Sequence, residues 1–222
     1  MMTGIAGLTI AATDPAATQA VYDFLGVTEV TVVAGKSGLV AGEPGLVAID
    51  IGVDDLAAEL RLARRRGLDV DDDGAMTVRG LTLRLVEAGP CHGTGLVSGL
   101  DHIVVRTEDV PGALAAYCAR LGFDLRLDRS FPQWGMRELF VKCGDHVVEI
   151  VTELEDVAQP SPTDSFDGVA WQVRDIEAAQ AELSDAGYEV SEVRVGRKKG
   201  TRVATLRDRR TATPTLLIEP VR

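Results

Sequence analysis

GLDHIVVRTEDVPGALAAYCARLG, running from Gly99 to Gly122, is the stretch on which the fold turns. It opens with a short β-branched run, meets Asp109 at the start of an apolar period near 3.6, and closes on Leu121-Gly122. That is the grammar of a strand, a helix with an aspartate at its N-cap, and a glycine just past the helix end. Ala6 to Gly26, AGLTIAATDPAATQAVYDFLG, repeats it when Asp14 is laid on Asp109.

A second pair follows the same plan. GLVAIDIGVDDLAAELRLARRRG (Gly45 to Gly67) matches GVAWQVRDIEAAQAELSDAG (Gly168 to Gly187), with Val53-Asp54-Asp55-Leu56 on Val173-Arg174-Asp175-Ile176. Strand-like runs follow the helices, among them MTVRG and LTLRLVEA, LFVKCG and HVVEIV, RVATLRD and TLLIEP. The chain therefore reads as four βαβββ-like modules taken in pairs, the first cut short between Val27 and Glu43. GPCHGTGLVSG, from Gly89 to Gly99, has linker composition, so the expected division is 1–90, a linker at 91–98, and 99–222.

Composition narrows the function classes. The 222 residues are 45% hydrophobic and 26% charged, an ordinary globular balance. A net charge of -11 disfavours nucleic acid and anionic lipid. Apolar runs such as Gly45 to Val53 are too short to span a bilayer, so no membrane partner is expected. MMTGIAGLTIAATD lacks a basic flank, so no signal peptide is expected. Three cysteines without CxxC spacing argue for a reducing compartment, and the expected location is cytoplasmic.

LDHIVVRTEDVPGALAAY followed by VVEIV resembles the vicinal oxygen chelate superfamily, which includes glyoxalases, bleomycin-resistance proteins and extradiol dioxygenases. The resemblance implies an α+β glyoxalase-like fold: tandem βαβββ modules paired into two cup-shaped mixed β-sheets with flanking helices. It also implies metal ligands on the first and last strands of each module. In the second pair these fall on His102, Glu149 and Glu219, while the remaining position falls on Gly168, which has no side-chain donor. Gln172 shares the Gly168 face further along the strand, and Asp167 alternates away from it.

One imidazole and two carboxylates suffice for an open catalytic site and suit a divalent ion such as iron, manganese, zinc or nickel. The competing reading is a packed histidine and two rim glutamates with no metal. In the first pair Gly7 and Ala48 stand at the histidine positions and Arg84 or Leu85 near the third, leaving Glu87 aligned with Glu219. That half is expected to be metal-free.

Two local compositions stand out. RVGRKKGTRVATLRDRR places Arg194, Arg197, Lys198, Lys199, Arg202, Arg207, Arg209 and Arg210, eight of the chain's 23 basic residues, in one span. Its functional reading is a grip on a substrate carboxylate or phosphate, with Arg197 or Arg202 as a bidentate fork. Its bland reading is a solvated hairpin facing acidic segments such as Asp71 to Asp73. RSFPQWGMRELF offers Trp134 and Phe131 for stacking on a flat ligand or for ordinary packing. Trp171 reads as core, His146 points away from Glu149, His92 falls in the linker, and GKSG at Gly35 to Gly38 lacks P-loop spacing.

Two functions follow. The first is a metal-dependent lyase, isomerase or dioxygenase in which Glu149 or Glu219 also serves as base, acting on a small anionic or oxygen-chelating metabolite held by Trp134, Gln172, Arg197 and Arg202. The second is a metal-free small-molecule binding protein of the bleomycin-resistance type. Either would work as a monomer or homodimer.

Overall fold

The computed structural model describes residues 1–35, 44–155 and 157–220. The first module gives β1 (Met2–Ala12), α1 (Pro15–Leu25) and β2 (Val30–Ala34). The second gives β3 (Gly45–Val53), α2 (Leu56–Arg65), β4 (Ala75–Val78) and β5 (Leu81–Val86). In the third, β6 (Val97–Arg106) leads to α3 (Val110–Leu114), which runs on as a π-helical stretch (Ala115–Leu121) before β7 (Asp124–Phe131), β8 (Met136–Cys143) and β9 (His146–Glu153). The fourth is β10 (Ser165–Val173), α4 (Ile176–Asp185), β11 (Arg194–Val195), β12 (Arg202–Leu206) and β13 (Thr215–Glu219).

Two mixed sheets result. Modules one and two form a 5-stranded sheet in the order β2-β1-β3-β5-β4, and modules three and four an 8-stranded sheet in the order β11-β12-β13-β10-β6-β9-β8-β7. The third and fourth modules are complete βαβββ units. The second shows two strands after its helix: between α2 and β4 the chain passes through Asp71, Asp72 and Asp73, and Val70 makes only an isolated bridge to Met76. Like charges at successive positions resist strand pairing. The end of the shortened first module and most of GKSG fall at 36–43, outside the described residues.

Four aspartates start α1, α2, α3 and α4. Asp14, Asp55, Asp109 and Asp175 each accept a backbone N–H two or three residues on, at 2.8–3.1 Å. Gly26 and Gly122 then end α1 and the π-helical stretch at φ 77° and 87°, left-handed values that glycine adopts without steric cost.

Two compact units can be distinguished. One comprises Met1–Leu8, Val47–Pro90 and Ile103–Asp167; the other comprises Thr9–Leu46, Cys91–His102 and Gly168–Arg222. The first buries Ile5, Ile51, Leu83, Ile103 and Leu139. The second buries Tyr22, Leu25, Trp171, Leu183 and Leu217, with Tyr22 edge-on to Trp171 at 6.4 Å and donating its hydroxyl to the Thr211 carbonyl. Trp171 is thus a core residue, as its strand position implies. Among the described residues no helix is long and apolar enough to cross a membrane.

Candidate functional site

Strand register decides which side chains share a surface. In the second unit Gln172 of β10 lies opposite Ile218 of β13, and Ile218 opposite Val203 of β12. This face carries the apolar group Ala170, Val203, Ile218 and Leu216. Glu219 pairs with Arg202, one residue further on, and both project from the other face with Trp171, Leu217 and Ala204. There the Glu219 Oε2 accepts the Ile176 N–H at 3.1 Å, at the first residue of α4. Arg202 pairs with Glu177 in the same helix turn. The positive end of the helix favours this carboxylate. Gln172 and Glu219 are therefore on opposite faces of the sheet.

Gly168 has a packing reason to be glycine. A Cβ there would sit 3.0 Å from the Pro214 carbonyl oxygen, which accepts the Val169 N–H at 2.9 Å. The strand runs too close to Pro214 for a side chain to enter without displacement.

His102 and Gln172 are joined through Asp101, a residue that the sequence reading passed over. Asp101 holds the His102 Nδ1 at 2.7 Å with one oxygen and accepts the Gln172 amide at 2.9 Å with the other. Ser98 bonds the Gln172 carbonyl. Burial works against the Asp101 charge, but the His102 and Gln172 hydrogen bonds and the Lys198 ammonium outweigh it and hold the carboxyl below its usual range. Lys198 is thereby a residue of the basic segment that bears electrostatically on this network.

The rest of that segment is largely committed. Arg194 bonds Ser191 and Thr205, and Arg210 forks onto Asp208 while lying 4.5 Å over the Tyr188 ring. Arg197 is exposed. Asp72 is held by Arg64. Asp208 is drawn down to about 2, chiefly by the Arg210 hydrogen bond, against burial. A depressed carboxyl contributes stability present above its ordinary value of 3.8 and lost as the pH falls through about 2. Asp208→Asn should cost about 1 kcal/mol at neutral pH, and thermal melts should show that cost vanishing below about pH 2.

In the first unit Glu149 of β9 lies opposite Phe140 of β8, and Phe140 opposite Leu127 of β7. The next pairs on that face are Arg129 with Glu138 and Glu138 with Val151. Glu138 is only 2% exposed. It was not foreseen, although its parity with Phe140 in a strand would have flagged it. Trp134 is 52% exposed and stacks on Phe131 at 5.1 Å, and Arg129 covers the Phe131 ring at 4.7 Å. His146 is buried, with its Nδ1 accepting the Ile5 N–H at 2.9 Å, a structural role.

The first sheet pairs Ala48 with Thr82 and Asp50 with Arg84, whose two nitrogens bond that carboxylate at 2.9 Å. Cys91 and Cys143 are pushed up to about 12, mainly by burial, so neither is a thiolate nucleophile at neutral pH.

Among the described residues no three histidine, cysteine, aspartate or glutamate side chains form a group that could hold a metal ion. With Gly168 offering no donor and Glu219 turned to the α4 amide, the residues present do not fit a resident metal.

Residues 101–205 match the sequence family described as Glyoxalase/Bleomycin resistance protein/Dioxygenase superfamily. No curated protein matches this sequence. In fold, the chain is similar to a mutant of 4-hydroxymandelate synthase from Streptomyces coelicolor, at 14% identity and a TM-score of 0.74 over 99% of this chain and 93% of that one. It is likewise similar to a halotolerant catechol dioxygenase, at 12% identity and a TM-score of 0.72 over 99% and 87%. Methylmalonyl-CoA epimerase from Mycobacterium tuberculosis is similar over 59% of this chain and 93% of its own, at 22% identity and a TM-score of 0.48. In sequence, then, residues 101–205 match the glyoxalase/bleomycin resistance protein/dioxygenase superfamily, and over the chain as a whole the likeness is one of fold.

Proposed function

We propose that the protein binds a small anionic metabolite through residues 99–222 without a resident metal ion, with residues 1–90 as a metal-free companion domain joined through 91–98. The observation that carries this reading is the Glu219 carboxylate, placed on the α4 face and bonded to the Ile176 amide rather than beside Gln172. Gly168 against Pro214 supports it, as does the apolar surface of Ala170, Val203 and Ile218 around Gln172. A metal held by His102, Glu149 and Glu219 would require Glu219 to abandon the helix and cross the sheet.

The anionic character of the ligand rests on the Lys198 charge beside Asp101 and on exposed Arg197. The ligand class suits a cytoplasmic protein with free thiols. Calorimetric titration with small carboxylates and phosphate esters tests the reading: binding should weaken about tenfold in Lys198→Glu. Binding confined to neutral or cationic compounds would overturn it.

A second reading is favoured by one observation, the buried Glu138 on the Glu149 face across from Arg129. A buried carboxylate within reach of a ligand can give or take a proton, so in this reading a ligand is turned over rather than only held. If so, Glu138→Gln should retain ligand binding and lose turnover.

A further inference from the structure

Arg79 occupies the turn between β4 and β5 and reaches away from its own sheet. Its backbone is left-handed, at φ 49°, a conformation that costs a non-glycine residue about 1 kcal/mol or more. Its Nε donates to the Asp164 Oδ2 at 2.8 Å and its Nη1 to the Asp109 Oδ2 at 3.1 Å. The Asp164 N–H in turn donates to the Arg79 carbonyl at 2.7 Å. Asp164 is therefore gripped twice, once by backbone and once by side chain. Tyr117, in the π-helical stretch, donates its hydroxyl to the same Asp164 Oδ2 at 2.6 Å. The Asp164 side chain is 0% exposed and that of Arg79 12%.

Two neighbours, Asp109 and Gly112, are fitted to this clasp, while the Arg79 Nη2 and the Asp164 Oδ1 are buried with no hydrogen-bond partner among the described residues. Asp109 divides its carboxylate between capping α3 through the Gly112 N–H and holding Arg79. A Cβ on Gly112 would collide with both Asp109 and the Arg79 Nη1. Asp164 is the residue immediately before β10, the strand that carries Gly168 and Gln172. Buried ion pairs add little net stability, because desolvation offsets their attraction, and removing one partner strands the other. A left-handed backbone adds a further cost. A group with this balance serves position better than stability.

We propose that Arg79 is a latch by which the β4–β5 hairpin of the first half fixes the start of β10 in the second, making Arg79 a positioning residue rather than a stabilising one. The test is amide hydrogen exchange on the full chain, resolved by segment, in Arg79→Met and in the Arg79→Met/Asp164→Leu pair. Arg79→Met should speed exchange at residues 161–167 about 100-fold while leaving the β12–β13 amides unchanged. The double variant should recover most of the melting temperature and yet leave 161–167 unprotected, since greasy packing replaces the charges without replacing the clasp.

If Arg79→Met does not fold, Arg79→Lys serves: it keeps the charge, loses the fork, and should give a smaller rise confined to the same residues. Exchange that rises uniformly along the chain, no change at 161–167, or restored protection in the double variant would each overturn the proposal.

Discussion

Replacing Trp171 by alanine should lower stability by about 4 kcal/mol, the largest effect expected of any single truncation in this chain. The side chain is 0% exposed in the middle of β10. It meets the Tyr22 ring edge-on, and its strand neighbours in register are Leu217 and, beyond that, Ala204. Its indole nitrogen has no partner among the described residues, so the loss is one of packing and not of hydrogen bonding. For a domain of this size the melting temperature should fall by about 10 °C. Trp134→Ala provides the contrast: half-exposed, it should cost less than about 1 kcal/mol. Because these are the chain's two tryptophans, fluorescence in each variant reports the other's environment. A red-shifted Trp171 in folded Trp134→Ala would contradict the core assignment.

Gly168→His restores the residue type that the superfamily resemblance leads one to seek at that strand position, and it should fail as a repair. The added Cβ would lie 3.0 Å from the Pro214 carbonyl oxygen, in a strand whose neighbouring Val169 and Ala170 are buried. Overpacking of this kind costs about 2 kcal/mol. The variant should therefore melt several degrees lower and gain no affinity for divalent ions, because Glu219 remains on the opposite face, bonded to Ile176. Differential scanning calorimetry with and without zinc checks both halves of the expectation. A zinc-dependent rise in melting temperature in Gly168→His, absent from the parent chain, would show that Glu219 crosses the sheet readily.

The local signals were legible in the sequence. An aspartate cap satisfies an amide two or three residues away, so Asp14, Asp55, Asp109 and Asp175 announce four helices without any knowledge of tertiary structure. The pairing of modules followed from those repeats, and the two sheets respect it. What escaped was a matter of parity and of partners. Gln172 and Glu219 stand on different strands, and a shift of one residue in their pairing exchanges faces; sequence does not supply that register. Asp101 adjoins His102, but its second bond, to Gln172, depends on two strands meeting 71 positions apart. Arg79 carries no signal in the sequence because its partners, Asp109 and Asp164, lie 30 and 85 positions away.

The three-carboxylate run at Asp71 to Asp73 was visible from the start, yet it was read as a partner for the distant basic segment. In the fold it has a nearer use, since Asp72 takes Arg64 from the helix just before it. Short-range pairing wins here because the turn already brings the two charges together, whereas a long-range pairing must first be paid for in chain entropy.

The central claim is that this protein works without a resident metal. Elemental analysis of the full chain purified without chelator, repeated after incubation with iron, manganese, zinc and nickel and desalting, tests it most directly. The account predicts far less than a full equivalent of any ion in every sample, and the same result in His102→Ala. A full equivalent of one ion that survives desalting and disappears in His102→Ala would contradict it.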